Sequence, residues 1–158
     1  MNGDRGNRFL AILHKMKRLD LQGALNLMPP SEMMLLSEMR RRAQQQPEQP
    51  VKVSDIAKAL DISPPAVSRT LNRLEEKRYI ERLADRGDRR NVCLKLTAAG
   101  EDAIHENMNK VKSFLEDALL YLSDDEIAQL TALFEKMYEA MKAQINKMEQ
   151  DKENSGLC

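Results

Sequence analysis

Apolar positions in the first third of the chain recur at helical spacing. Phe9, Ile12, Leu13, Met16 and Leu19 are three or four residues apart and predict a helix over about residues 5–21. Gly23 and then Met28-Pro29-Pro30 end it. Ser31 is placed to cap a second helix, with Glu32 in its first turn and Met34, Leu35, Met39 and Arg42 along its stripe. That helix runs out in residues 44–50, a polar linker containing Pro47 and Pro50.

The middle third is more heavily punctuated. Val51-Lys52-Val53 reads as a very short strand, and Ser54 caps a short helix with Ile56, Ala57 and Leu60 on its apolar face. Asp61-Ile62 forms a turn. Ser63 caps the next helix, with Pro64 at its first position, where a missing N–H is harmless, and Pro65 still within the first turn. Val67, Leu71 and Leu74 form the buried stripe. After Lys77 the period changes to two: Tyr79, Ile80, Arg82 and Leu83 suggest one strand, and Val92, Leu94 and Leu96 a second. A charged, glycine-containing loop over residues 84–91 joins them. Thr97 caps a long helix with Ile104, Met108, Val111, Leu115 and Ala118 in register, reaching about residue 121. Ser123 and Glu126 form a capping box for a last helix carrying Leu130, Phe134, Met137, Met141, Ile145 and Met148.

Composition narrows the classes. At 158 residues the chain is the size of one ordinary domain, with 42% hydrophobic and 32% charged residues and no Trp. The polar start and the absence of a long apolar run predict no signal peptide and no membrane span. Two cysteines, Cys93 and Cys158, cannot make a disulfide framework and suit a reducing, cytoplasmic compartment. Net charge is zero, yet residues 51–100 hold eleven Lys and Arg against seven Asp and Glu, a basic module whose excess the rest of the chain, taken together, cancels.

Helix, turn and helix followed by a hairpin is an arrangement whose second helix can enter a DNA major groove. Pro64, Pro65, Ala66, Ser68, Arg69, Asn72 and Arg73 are its outward or flanking residues. Ser and Asn can exchange hydrogen bonds with base edges, and Arg can grip guanine or phosphate. The first turn of that helix is also expected to offer free N–H groups to a phosphate. Arg86, Arg89 and Arg90 in the hairpin suit a narrow minor groove, with Asp88 bracing a neighbouring arginine.

These residues resemble the MarR family of bacterial regulators. The likeness runs from Val53-Ser54-Asp55-Ile56-Ala57 through Ala66-Val67-Ser68-Arg69, Leu74-Glu75 and Ile80-Glu81-Arg82 to Asp88-Arg89-Arg90 and Leu94-Lys95-Leu96-Thr97-Ala98-Ala99-Gly100. The resemblance implies a mainly α fold with a small β-hairpin wing. In that fold a winged helix-turn-helix over residues 31–100 is flanked by dimerisation helices over 1–30 and 101–150, with a flexible tail over 151–158. It implies a repressor that binds double-stranded DNA at a pseudo-palindromic operator as a homodimer, Asp88 and Arg90 being the wing pair, and that answers to a small-molecule effector whose identity the sequence leaves open. Where the family has Gly after the recognition helix, this chain has Arg78, at a position expected to need positive φ.

The apolar stripes at the two ends favour a dimer without help from the family. Phe9, Ile12, Leu13 and Met16, with Phe134, Met137, Met141 and Ile145, have no evident partner in a small wing domain and are the candidate dimer interface. No nucleophile elbow, phosphate loop or metal-ligand spacing points to an enzyme, a cofactor or a metal, and His14 and His105 stand alone. Cys93 alternates away from Val92, Leu94 and Leu96, with an oxidant-sensing role weighed as the lesser reading. A helical protein-interaction adaptor without DNA binding would explain the apolar stripes but not the arginine hairpin.

Overall fold

The computed structural model describes residues 3–47, 49, 51–84 and 92–155. Its elements are α1 (Gly3–Lys17), α2 (Leu21–Ala24), α3 (Pro30–Gln45), β1 (Val51–Lys52), α4 (Val53–Leu60), α5 (Pro64–Glu76), β2 (Ile80–Ala84), β3 (Val92–Leu96), α6 (Ala98–Leu119) and α7 (Asp124–Ser155). Two compact units divide the chain, Met1–Lys112 and Ser113–Cys158.

The core lies in the first unit. Leu35, Leu36 and Met39 of α3, Ile56 of α4, Val67, Leu71 and Leu74 of α5, Ile80 and Leu94 of the sheet and Ile104 of α6 form one buried cluster. The α3 stripe differs from expectation: Leu36 is fully buried while Met34 is 43% exposed. Its cap also differs, because Pro29 occupies the N-cap and Pro30 the first helical position, so Ser31 is already inside the helix. Likewise Lys52, not Ser54, is the N-cap of α4.

Three antiparallel strands form a sheet in the order β1-β3-β2. Val51 pairs with Leu94, and β2 pairs with β3 from Ile80↔Leu96 to Ala84↔Val92. β3 is covered on both sides: Leu94 faces the core, and Cys93, on the other face, is also buried. Cys93 is a free, buried cysteine and lines a cavity with Met39, Ala43, Leu83 and Leu94.

One corner joins α5, the sheet and α6. Arg78 has φ 59°, the left-handed conformation anticipated for that position. The Thr97 hydroxyl donates to the Arg78 carbonyl at 2.8 Å and accepts from the Gly100 N–H at 3.0 Å, so it caps α6 and holds the strained turn together. Gly100 sits so close to the Tyr79 carbonyl and Leu96 that a Cβ there would collide with both.

Glu38 is a buried acid on α3. It accepts from Arg41 and Arg42, and Arg42 also donates to the Asp55 carbonyl at 3.1 Å, tying α3 to α4. The Arg41 hydrogen bond holds the Glu38 carboxyl below its ordinary range against the opposing effect of burial.

In the second unit, the Ser123 N–H and hydroxyl both donate to Glu126 Oε2, and the Glu126 N–H returns to Ser123 Oγ: the capping box is formed. These bonds hold the exposed Glu126 carboxyl below its usual range, the backbone donor leading. α7 continues to Ser155, five residues into the stretch read from sequence as a flexible tail. No described helix is long and apolar enough to cross a membrane.

Two measurements test this packing. Gly100→Ala should lower stability by about 1–3 kcal/mol in thermal or urea unfolding, as overpacking against fixed backbone does. Because the folded carboxyl of Glu38 titrates below its unfolded value of 4.5, its contribution is complete above that pH and disappears as pH falls through the lowered value. The urea midpoint of Glu38→Gln should therefore fall less on acidification than that of the wild type.

Candidate nucleic-acid interface

α4 and α5 are joined by three residues, 61–63. Asp61 ends α4 in the left-handed conformation (φ 50°, ψ 45°), and the Ile62 N–H bonds back to the Ala57 carbonyl at 3.1 Å. Asp tolerates this geometry better than most residues. Ser63 then takes the N-cap of α5 with extended backbone, although its hydroxyl makes no capping bond.

The start of α5 corrects one expectation. Pro64 and Pro65 carry no N–H, and the N–H groups of Ala66 and Val67 are both directed to the Ser63 carbonyl at 3.0 and 3.1 Å. The first turn thus lacks the free donors that would cradle a phosphate.

Along α5, Val67, Thr70, Leu71 and Leu74 are buried, so the opposite face is fixed to point outward. At helical periodicity Pro65, Arg69 and Asn72 lie opposite the buried stripe. These three are exposed, as are Pro64 and, on one flank, Ser68; Ala66 is half-buried. Arg73 is also exposed but is turned to the other flank. Its Nε is 3.6 Å from Glu32 Oε1, and its Nη2 donates to the Thr70 hydroxyl at 3.4 Å. Glu32 itself is only 2% exposed and receives Lys77 Nζ at 2.7 Å. The carboxylate at the start of α3 thus braces the C-terminal half of α5 through two cations. Sequence reasoning missed this brace, because Glu32 reads locally as an ordinary first-turn acid.

On the Ser68 flank, Arg82 of β2 donates to Asn72 Oδ1 and stands 3.1 Å from Glu75 Oε2, linking helix to sheet. The described pairing of β2 with β3 reaches Ala84↔Val92. Arg86, Asp88, Arg89 and Arg90 lie outside the described residues.

The described unit also holds a polar cavity of about 350 Å³, lined by Asn26, Met28, Lys77, Tyr79, Asn107 and Lys110 among others. Its wall is built by the Met28 N–H donating to Asn107 Oδ1 at 2.7 Å and by Lys110 Nζ at 3.4 Å from the Asn26 carbonyl. That volume suits a small organic ligand. Among the described residues, no cluster of three His, Cys, Asp or Glu is disposed to hold a metal.

A short helix, a three-residue turn, an outward-facing second helix and an antiparallel hairpin packed at its end define a winged helix-turn-helix protein. The MarR family model matches residues 28–91. Over 111 residues the chain is 28% identical to the HTH-type transcriptional repressor MdtR of Bacillus subtilis, covering 70% of this chain and 68% of that one. The YusO protein of B. subtilis superposes with a TM-score of 0.71 at 25% identity, over 87% of this chain and 94% of that one. The S. aureus MepR–DNA complex gives 0.60 at 25%, over 85% and 96%. Over residues 28–91 the chain is thus similar to the MarR family.

Lys77→Ala should leave the buried Glu32 carboxylate with Arg73 alone and lower stability by roughly 1–3 kcal/mol in urea unfolding, the range for an under-satisfied buried group. Adding Glu32→Gln should recover part of that loss.

Proposed function

We propose that this protein is a sequence-specific transcription regulator that binds a pseudo-palindromic operator in duplex DNA as a homodimer and represses until a small-molecule effector releases it. One observation carries the reading. The apolar face of α5 is locked into the core, so Pro65, Ser68, Arg69 and Asn72 are presented outward. A helix so presented fits a major groove about 12 Å wide. Arg69 is the candidate for a two-point guanine contact, and Arg86, Arg89 and Arg90 for the adjacent minor groove, with Asp88 as their brace. The structural likeness to a DNA-bound MepR and the sequence likeness to a named repressor both favour this assignment. A regulator of this class works in the cytoplasm and needs no catalytic residue.

The homodimer is supported by unpartnered apolar surface in each unit taken separately. In α1, Phe9, Ile12, Leu13 and Met16 are all exposed; in α7, Phe134, Met141 and Ile145 are exposed and Met137 is half-buried. A second copy covering these helices would place two recognition helices on half-sites about one DNA turn apart. The divisions proposed from sequence, 31–100 for DNA and 1–30 with 101–150 for dimerisation, follow the same logic. The polar cavity beside Lys77 and Lys110 is our candidate effector site.

Selection of bound sequences from random duplexes should return a pseudo-palindrome, with affinity falling steeply as salt rises. Arg69→Ala should weaken binding to that operator by about 1–3 kcal/mol and relax base preference, while sedimentation still shows a dimer. Salt-independent binding, or unchanged affinity for both Arg69→Ala and Arg90→Ala, would remove the assigned reading surface.

A further inference from the structure

We infer that Arg82 is a positioning residue that determines which bases α5 reads, by fixing the orientation of the Asn72 side-chain amide. The inference rests on the reading of α5 as the groove-facing helix. Arg82 stands on β2, outside the residues assigned above to the duplex. Its Nη2 donates to Asn72 Oδ1, and its Nε lies 3.1 Å from Glu75 Oε2.

A guanidinium has donors and no acceptor. The side of the Asn72 amide that faces it is therefore the carbonyl, since an NH2 there would set donor against donor. Glu75 lies three residues beyond Asn72, on the same flank of α5. It holds the guanidinium from a second side, so the group is braced at both ends by the helix it orients. Asn72 is exposed, and its NH2 has no hydrogen-bond partner among the described residues. The amide thus turns its oxygen toward the sheet and leaves its two donors for a partner.

This arrangement selects among bases. An Asn reads adenine by donating to N7 and accepting from the N6 amino group at once. Arg82 engages one lone pair of Oδ1 and turns that oxygen toward the sheet, so Asn72 presents its NH2 outward. Guanine N7 and O6 and thymine O4 accept such donors, whereas the two-point adenine fit needs Oδ1 turned to the base beside the NH2. Releasing Arg82 frees the amide to rotate and admits adenine.

The test is selection from random duplexes by the full-length wild type, Arg82→Ala, Arg82→Lys and Asn72→Ala. Arg82→Ala should raise adenine at one position per half-site by roughly five-fold or more relative to the wild type. That position should be the one whose preference Asn72→Ala abolishes. Arg82→Lys, which retains a donor, should keep the wild-type preference at least in part. If Arg82→Ala does not fold, Glu75→Gln takes its place and should shift the same position in the same direction. An unchanged preference at that position, or a loss spread evenly over all sequences with a shallower salt slope, overturns the inference and makes Arg82 a phosphate contact or a structural link. Failure of the wild type to select any sequence instead removes the DNA reading itself, and the inference with it.

Discussion

Burial of Val67, Leu71 and Leu74 against Leu35, Leu36 and Ile104 decides which way α5 faces, and every functional statement about the chain depends on that choice. Each such side chain contributes roughly 1.5–3 kcal/mol when taken out of water. Rotating the helix by a third of a turn would expose this stripe and bury Arg69 or Asn72 without partners. The apolar face thus aims the polar one. The Glu32 brace and the Arg82 link act on the two flanks of the same helix, so α5 is held from behind and from both sides.

The corner around Thr97 gives that helix a fixed relation to its hairpin. A single hydroxyl serves the strained Arg78 turn and the first turn of α6 together, and Gly100 lets α6 approach the Tyr79 carbonyl without a side chain in the way. The sharp change of direction after α5 is tolerated at Arg78 because both its carbonyl and the neighbouring backbone are occupied. The Tyr79 N–H bonds to the Leu74 carbonyl at 2.9 Å, and the Tyr79 carbonyl accepts from the Thr97 N–H at 3.1 Å.

Features set by neighbours in the chain were legible from sequence. The Pro64 helix start, the Val67–Leu71–Leu74 stripe, the alternation of β3, the Thr97 cap and the Ser123–Glu126 box all follow from short-range sterics and hydrogen bonding, whereas the positive φ at Arg78 is expected only from the family's Gly at that position. What escaped depends on partners far along the chain. Glu32 is buried because Lys77 arrives from 45 residues away, and Asn72 is oriented by a residue on a strand rather than on its own helix. The exchange of Met34 for Leu36 on the α3 stripe has the same origin: a helix of mixed residues rotates to whichever face its neighbours fill best. α7 runs on through residues 151–155, where Lys152 and Glu153 are good helix formers although no apolar period marks them.

The paired prolines at the head of α5 have a consequence for discrimination. Backbone amides at a helix tip grip the sugar–phosphate rail of any duplex alike, and so add adhesion that is blind to sequence. Pro64 and Pro65 delete two of those amides, and Ser63 occupies the next two. A helix blunted in this way contributes little indiscriminate hold at its tip. On the proposal that α5 reads the groove, more of its grip comes from side chains that differ in their fit to one base or another, which would widen the gap between a cognate site and the bulk of the genome.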